Sequence, residues 1–238
     1  MTAPRVAVID YGIGNLRSAE KALQRAGADA FLTTDPAAIS AADAVVLPGV
    51  GAMGRCMDAL ASSGLRQPTL DAIQSGRPFL GVCVGMQMLH SGSTEHGGVE
   101  GLGVFTAMVS LLEPGGEPES ERVSEAGSQP GLQHGQRLKV PHMQWNRLVS
   151  TAPSRLVDGT QISGEKWVYF VHSFAAEAHP AVVAVAQYGG SVTAVVELGN
   201  VMGTQFHPEK SGRHGIALLT SFVDLCRDSA GSGEHYAH

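Results

Sequence analysis

Gly81-Val-Cys-Val-Gly-Met-Gln87, directly after the run Arg77-Pro-Phe-Leu80, places Cys83 on a sharp turn from a short buried strand into a helix. That is the pattern of a nucleophile elbow built around a thiol. Gly81 and Gly85 let the backbone fold tightly enough to push the cysteine clear of the sheet. The amide groups of the helix that follows face the thiol, and their partial positive charge favours the thiolate, the form that attacks a carbonyl carbon. An isolated cysteine reads more simply as a small buried hydrophobe; the flanking glycines weigh against that here.

A thiolate needs a base and a group to orient the base. The stretch Gly203-Thr-Gln-Phe-His-Pro-Glu-Lys-Ser211 follows the strand-like run Val192–Leu198 and the turn Gly199-Asn200. Pro208 disfavours helix at His207 and keeps the chain extended. Positions two apart in extended chain share a face, so the Glu209 carboxylate is placed to hydrogen-bond one imidazole nitrogen of His207 and leave the other for a thiol. Nucleophile, base and orienting acid are thus distant in sequence and brought together by the fold. Read alone, His-Pro-Glu is an ordinary surface turn; beside the Cys83 elbow it reads as chemistry.

The rest of the chain frames these two segments. With 238 residues, 43% hydrophobic and 16% charged, it is long enough for one sizeable core, and a single domain over 1–228 is the expectation. A net charge of −6 offers no electrostatic footprint for nucleic acid or an anionic membrane. Cys56, Cys83 and Cys226 form no Cys-x-x-Cys pair, which suggests neither a disulfide framework nor a zinc knuckle. Cys56 and Cys226 lie on apolar helical patterns and read as core. No apolar leader precedes Arg5 and no run approaches the roughly 20 residues that cross a bilayer, so a cytoplasmic location is expected.

The first half alternates strand and helix: Arg5–Asp10, a helix Leu16–Ala26 capped by Asn15 and stopped at Gly27, Ala30–Thr33, Ala44–Leu47, helical patterns Met53–Ser62 and Leu65–Ser75, then Phe79–Val82. Such alternation predicts an α/β fold, a mostly parallel central sheet with helices on both faces. The second half reads as strands Thr106–Leu112, Val168–His172, Ala181–Tyr188, Val192–Leu198 and Val201–Gln205, expected to add to the same mixed sheet, before a helix from about Gly215 to Cys226. Residues 113–137, rich in Pro, Gly, Ser and Glu, read as a loop insertion, and 229–238 as a disordered tail.

Smaller signals sort quickly. Gly12 and Gly14 suggest a dinucleotide fingerprint, but Arg17 stands where its third glycine belongs, and a tight strand-to-helix turn is the better account. The ten histidines include no His-Glu-x-x-His, so no metal and no cofactor is expected. Pro48-Gly-Val-Gly51 ends a buried strand parallel to the one carrying Cys83, on the sheet edge where open α/β folds place their sites. Glycines there can turn backbone N–H groups inward, as an oxyanion hole requires, or simply form a loop.

Gly81-x-Cys83-x-Gly85-Met-Gln87 with His207-Pro-Glu209 resembles the triad-type, class I glutamine amidotransferases. Asp10-Tyr-Gly-Ile-Gly-Asn15, Pro48-Gly-Val-Gly51, Lys139-Val-Pro-His-Met143 with Trp145-Asn146, and Tyr169-Phe-Val-His-Ser173 narrow the resemblance to the glutaminase subunits of imidazole glycerol phosphate synthases, over residues 5 to 226. Gln144 departs from the pattern, standing where that family usually shows glycine. The resemblance implies a glutaminase in histidine biosynthesis. Cys83 would be the nucleophile, His207 the base and Glu209 the orienting acid; Val50, Gly51 and Val84 would supply backbone donors to the oxyanion. Gln87, Glu95, Ser173 and Phe174 match positions that hold glutamine's polar ends. Asn15, His142 and Lys210 are expected at the interface with a (β/α)₈ cyclase subunit that receives the ammonia. Two other readings stand beside this one: a cysteine hydrolase or glutaminase serving a different synthase, and a silent interaction subunit, against which the intact Cys, His and Glu set speaks.

Overall fold

The computed structural model describes residues 2–113 and 138–232. In chain order the elements are β1 (Arg5–Ile9), α1 (Leu16–Arg25), β2 (Asp29–Thr33), α2 (Pro36–Ser40), β3 (Ala44–Gly49), α3 (Met53–Ser62), α4 (Arg66–Gln74), β4 (Phe79–Cys83) and α5 (Val84–Met88). There follow β5 (His90–Ser93), β6 (Val99–Glu100), β7 (Phe105–Leu111), β8 (His142–Arg147), β9 (Val149–Ser150) and α6 (Arg155–Asp158). The chain continues through β10 (Trp167–His172), β11 (Phe174–Ala176), β12 (Val182–Gln187), β13 (Ser191–Leu198), β14 (Val201–Thr204) and α7 (Gly212–Ser232).

Eight strands form the main sheet in the order β2-β1-β3-β4-β14-β13-β12-β9. The first five run parallel and the last three add antiparallel. The central strands are buried on both faces, as near-continuous Val, Leu and Ala runs require when helices cover both sides. Four parallel strands, β1, β3, β4 and β14, therefore end on one edge, and each delivers a loop to it.

The strand-helix alternation of the first half stands as expected, with one addition. The short helix α2 begins at Pro36, with the Asp35 carboxylate accepting from the Ala37 amide at 2.9 Å, a cap-plus-proline start not read from the sequence. Two strands are corrected. The run 106–112 does not join the main sheet; as β7 it belongs to a four-stranded sheet, β11-β7-β5-β6, and 168–172 forms β10 in a separate ribbon with β8. Their partners include β5 and β11, of four and three residues, and the six-residue β8, none of which was read from the sequence. The closing helix spans Gly212–Ser232, longer at both ends than expected, so residues 229–232 are helical rather than a disordered tail. The insertion expected at 113–137 lies, from 114 on, outside the described residues, as does 233–238. Gln144 occupies regular strand opposite Phe170, with no left-handed backbone, so the glycine usual there is not needed for the fold of this ribbon. Among the described residues no helix is long and apolar enough to cross a membrane.

Candidate active site

Cys83 is the last residue of β4 and stands at the entrance to α5, with φ 55° and ψ −113°. A side chain forced into positive φ costs of order 1–3 kcal/mol and persists only where the surroundings impose it. Here they do. A Cβ at Gly81 would lie 2.8 Å from the Gly85 carbonyl oxygen, and one at Gly85 would collide with the Leu47 carbonyl, so β3, β4 and α5 approach one another as only glycines allow. The expected elbow is present, with Cys83 3% exposed and Val84 at the first turn of α5, where unpaired amides point.

The candidate base comes from the neighbouring strand. β14 pairs with β4, and the chain leaving it carries Gln205, Phe206 and His207 to the same edge. The His207 amide donates to the Tyr169 carbonyl at 3.1 Å, and the Ser211 hydroxyl donates to the His207 carbonyl at 2.6 Å, which fixes the backbone. His207 Nδ1 lies 2.8 Å from Glu209 Oε1, and both side chains are 3% exposed. That leaves Nε2 for Cys83. Burial alone would lower the His207 imidazole, but the hydrogen-bonding and charge of Cys83 and of Glu209 outweigh it and hold it at about 9. An imidazole of that affinity can hold the proton a thiol gives up.

Cys83 and His207 line a cavity of about 440 Å³ together with Val50, Gly51, Val84 and Gln87. Glu95, Ser173, Phe174 and Lys210 line it as well, so every substrate-binding and oxyanion residue anticipated from sequence borders one space. Their contacts refine the picture. Glu95 Oε2 accepts from the Met53 amide at 2.7 Å, tying the cavity wall to the start of α3. Both Gln87 amide hydrogens are engaged: Nε2 meets the Phe174 carbonyl at 2.9 Å and Gln205 Oε1 at 3.1 Å. Gln87 therefore offers the cavity only its oxygen.

The three residues expected at an interface fall in different places. Asn15 does not cap α1 with its side chain; its Nδ2 instead reaches Glu209 Oε1 at 3.3 Å, so it extends the Cys83–His207–Glu209 line by one member. Lys210 is exposed at the cavity rim. His142 is fully buried, its ring stacked between Phe170 and Tyr188 at 4.6 and 4.1 Å; the alternation of a strand turns its neighbours Met143 and Trp145 outward in its place, 60% and 48% exposed.

Sequence reasoning missed two groups that hold the Pro48–Gly51 segment. The Tyr11 hydroxyl donates to the Pro48 carbonyl at 2.7 Å, and the Cys56 thiol approaches the Val50 carbonyl at 3.4 Å. In a trans peptide C=O and N–H point oppositely, so anchoring these two carbonyls sets the directions of the Gly49 and Gly51 amides. Burial raises both the Tyr11 phenol and the Cys56 thiol, which keeps them as donors. Among the described residues no group of three or more His, Cys, Asp or Glu side chains is placed to hold a metal ion.

The model of the class I glutamine amidotransferases matches residues 7–225. The imidazole glycerol phosphate synthase subunit HisH of Methanothermobacter thermautotrophicus is 44% identical over 223 residues, covering 93% of this chain and 99% of its own. The chain belongs to the HisH family of class I glutamine amidotransferases. Other HisH subunits agree: that of Halobacterium salinarum is 45% identical, covering 94% of each chain, and that of Bacillus subtilis 40% identical, covering 94% and 97%. Among solved structures, PurLQS from Thermotoga maritima superposes with a TM-score of 0.66 at 18% identity, covering 94% of this chain and 99% of that one. At that identity the likeness speaks to the fold alone.

Proposed function

We propose that this HisH-family chain is the glutaminase subunit of an imidazole glycerol phosphate synthase. The observation that carries the reading is Cys83 held in left-handed backbone at the β4–α5 junction, facing an imidazole whose Nδ1 is fixed 2.8 Å from a buried carboxylate. His207 takes the Cys83 proton as the sulfur attacks the side-chain amide carbon of glutamine. The oxyanion is met by the Val84 amide and by N–H groups of the Val50–Gly51 segment. Collapse of the tetrahedral adduct breaks the C–N bond; His207 returns the proton to the nitrogen, and ammonia leaves. Water, deprotonated by His207, then cleaves the glutamyl thioester to glutamate and restores the thiol. Glu209 fixes the imidazole tautomer and balances its positive charge throughout.

The partner is proposed to be a (β/α)₈ cyclase subunit that consumes the ammonia. Met143, Trp145 and Trp167 stand exposed on the outer face of the β8–β10 ribbon, with Pro141 and Val171 of the same ribbon region lining the cavity. A contiguous exposed apolar face of this kind marks a protein contact, and a partner seated there would close the cavity rim beside Lys210. Substituting Cys83→Ala in the reconstituted pair tests the reading. Glutamine-dependent synthesis is expected to vanish and ammonia-dependent synthesis to survive; a variant that still uses glutamine overturns the assignment.

A further inference from the structure

A buried chain of hydrogen bonds runs from the β8 strand to the Cys83 sulfur, and main-chain groups settle its polarity at both ends. The Arg147 amide donates to Asn146 Oδ1 at 2.8 Å, so Asn146 turns Nδ2 toward the Gln187 carbonyl at 2.9 Å and His142 Nε2 at 3.3 Å. His142 Nε2 must then accept, its hydrogen sits on Nδ1, and Nδ1 donates to His172 Nε2 at 3.1 Å. That leaves the His172 hydrogen on Nδ1, which donates to the Phe174 carbonyl at 2.9 Å. The same carbonyl receives Gln87 Nε2 at 2.9 Å, and a carbonyl can only accept, so the Gln87 amide is not reversible. Its second hydrogen goes to Gln205 Oε1 at 3.1 Å, and Gln205 Nε2 is thereby directed at Cys83 Sγ, 4.0 Å away.

All the polar links are neutral. Burial pushes His172 down to about 4 and His142 down to about 3, with the neighbouring histidine charges acting in the same direction. Gln205 is fully buried and its backbone N–H is held by the Ala194 carbonyl at 2.9 Å, so its side chain has no reason to be polar here except the bonds it makes.

We propose that Gln205 is a catalytic residue of the glutaminase: its side-chain N–H meets the sulfur when Cys83 is charged, with Gln87 and His172 as the positioning residues that keep that N–H aimed. The proposal rests on Cys83 being the nucleophile. As the thiol proton passes to His207, negative charge collects on Sγ, and a donor at 4.0 Å, long for a neutral thiol, draws in on the anion. When the C–S bond forms, the charge moves to the carbonyl oxygen and the amidotransferase oxyanion donors take over, so Gln205 serves the attacking species and leaves the adduct free to collapse. Gln87, on this view, aims Gln205 with its two N–H bonds and keeps its oxygen for the cavity.

The test measures the pH dependence of Cys83 alkylation by iodoacetamide on the full chain, with the modified residue identified by mass spectrometry. A hydrogen bond to a charged acceptor is worth about 1.5–3 kcal/mol, or roughly tenfold to a hundredfold at about 1.4 kcal/mol per tenfold. Gln205→Met, which keeps the length but offers no donor, is expected to move the pH of half-maximal alkylation up by about one unit and to slow reaction at neutral pH about tenfold. Gln205→Leu, which removes the donor without adding a charge, should move it in the same direction and decides the matter if the Met variant does not fold. A role in packing alone would leave the alkylation profile where it was. An unchanged profile in either folded variant overturns the proposal, whereas glutamine use by Cys83→Ala would overturn the glutaminase reading instead.

Discussion

Replacing Glu209 by Gln separates charge from geometry at the base. The amide oxygen can still accept from His207 Nδ1 at the 2.8 Å now seen, and from Asn15, so the ring should keep its place and lose only its counter-charge. His207 stands at about 9, against an ordinary 6.5, although burial works the other way. That rise is worth roughly 3 kcal/mol at about 1.36 kcal/mol per tenfold, and Cys83 supplies the larger part of the lift. Giving Glu209 somewhat less than half predicts a loss of turnover of about tenfold, far short of losing the nucleophile. Two measurements check it on one protein: steady-state glutamate release with the partner bound, and the titration of the His207 imidazole by ¹⁵N NMR. The imidazole midpoint should fall by about one unit, because burial is then less opposed while Cys83 still holds the ring up. A midpoint left near 9, or turnover abolished as fully as in Cys83→Ala while circular dichroism shows a folded chain, would refute the orienting role.

Three further outcomes follow from the same geometry. Tyr11→Phe leaves the buried Pro48 carbonyl without its donor, a loss of about 1–3 kcal/mol; reduced stability in urea together with slower glutamine hydrolysis is expected, and neither change would mean that the hydroxyl does not hold the loop. Gly85→Ala drives a methyl into the Leu47 carbonyl, and since backbone cannot step aside the variant should lose more than the usual 1–3 kcal/mol of overpacking; a stable, active protein would contradict the tight β3–α5 approach. Finally, His90, His142 and His172 are held neutral by burial, at about 4, 3 and 4. Below about 6.5 the unfolded chain binds protons that the folded chain refuses, so stability should fall as the pH drops from 6.5 to 5. His207 acts on the other side, its contribution complete below 6.5 and lost as the pH rises through about 9. Urea midpoints that stay flat between pH 6.5 and 5 would refute the acid limb.

What could be read from the sequence was local. Gly81 and Gly85 mark the elbow because they stand two residues either side of the strained Cys83, although the Leu47 carbonyl that makes Gly85 necessary lies in β3, and His207 and Glu209 share a face because extended chain makes it so. The stop of α1 before Gly27 and the end of β4 are written in the same short-range terms. What escaped reading depends on partners remote along the chain. Nothing near Asn15 distinguishes a helix cap from a hydrogen bond to Glu209, 194 residues away. Gln205 looks like a neutral residue beside the His-Pro-Glu motif until Gln87, 118 positions earlier, is placed against it. The two small sheets were missed for a related reason: β8 and β11 are defined by the strands they pair with, β10 and β7, more than by their own patterns.

The position of β14 has a consequence for how the chain is made. Among the described residues it is the last strand in sequence, yet it lies in the middle of the sheet, between β4 and β13, and it brings His207, the proposed base, to Cys83. During synthesis the cysteine emerges long before any histidine can serve it, and the slot beside β4 stays open until the final strand fills it. Closing that slot joins segments far apart in the chain, the slow kind of contact. A chain cut short before Val201 would thus be left with two unpaired strand edges, which invite aggregation, and no means of hydrolysing glutamine. Incomplete translation or proteolysis in this region should yield insoluble material and not a stray source of ammonia.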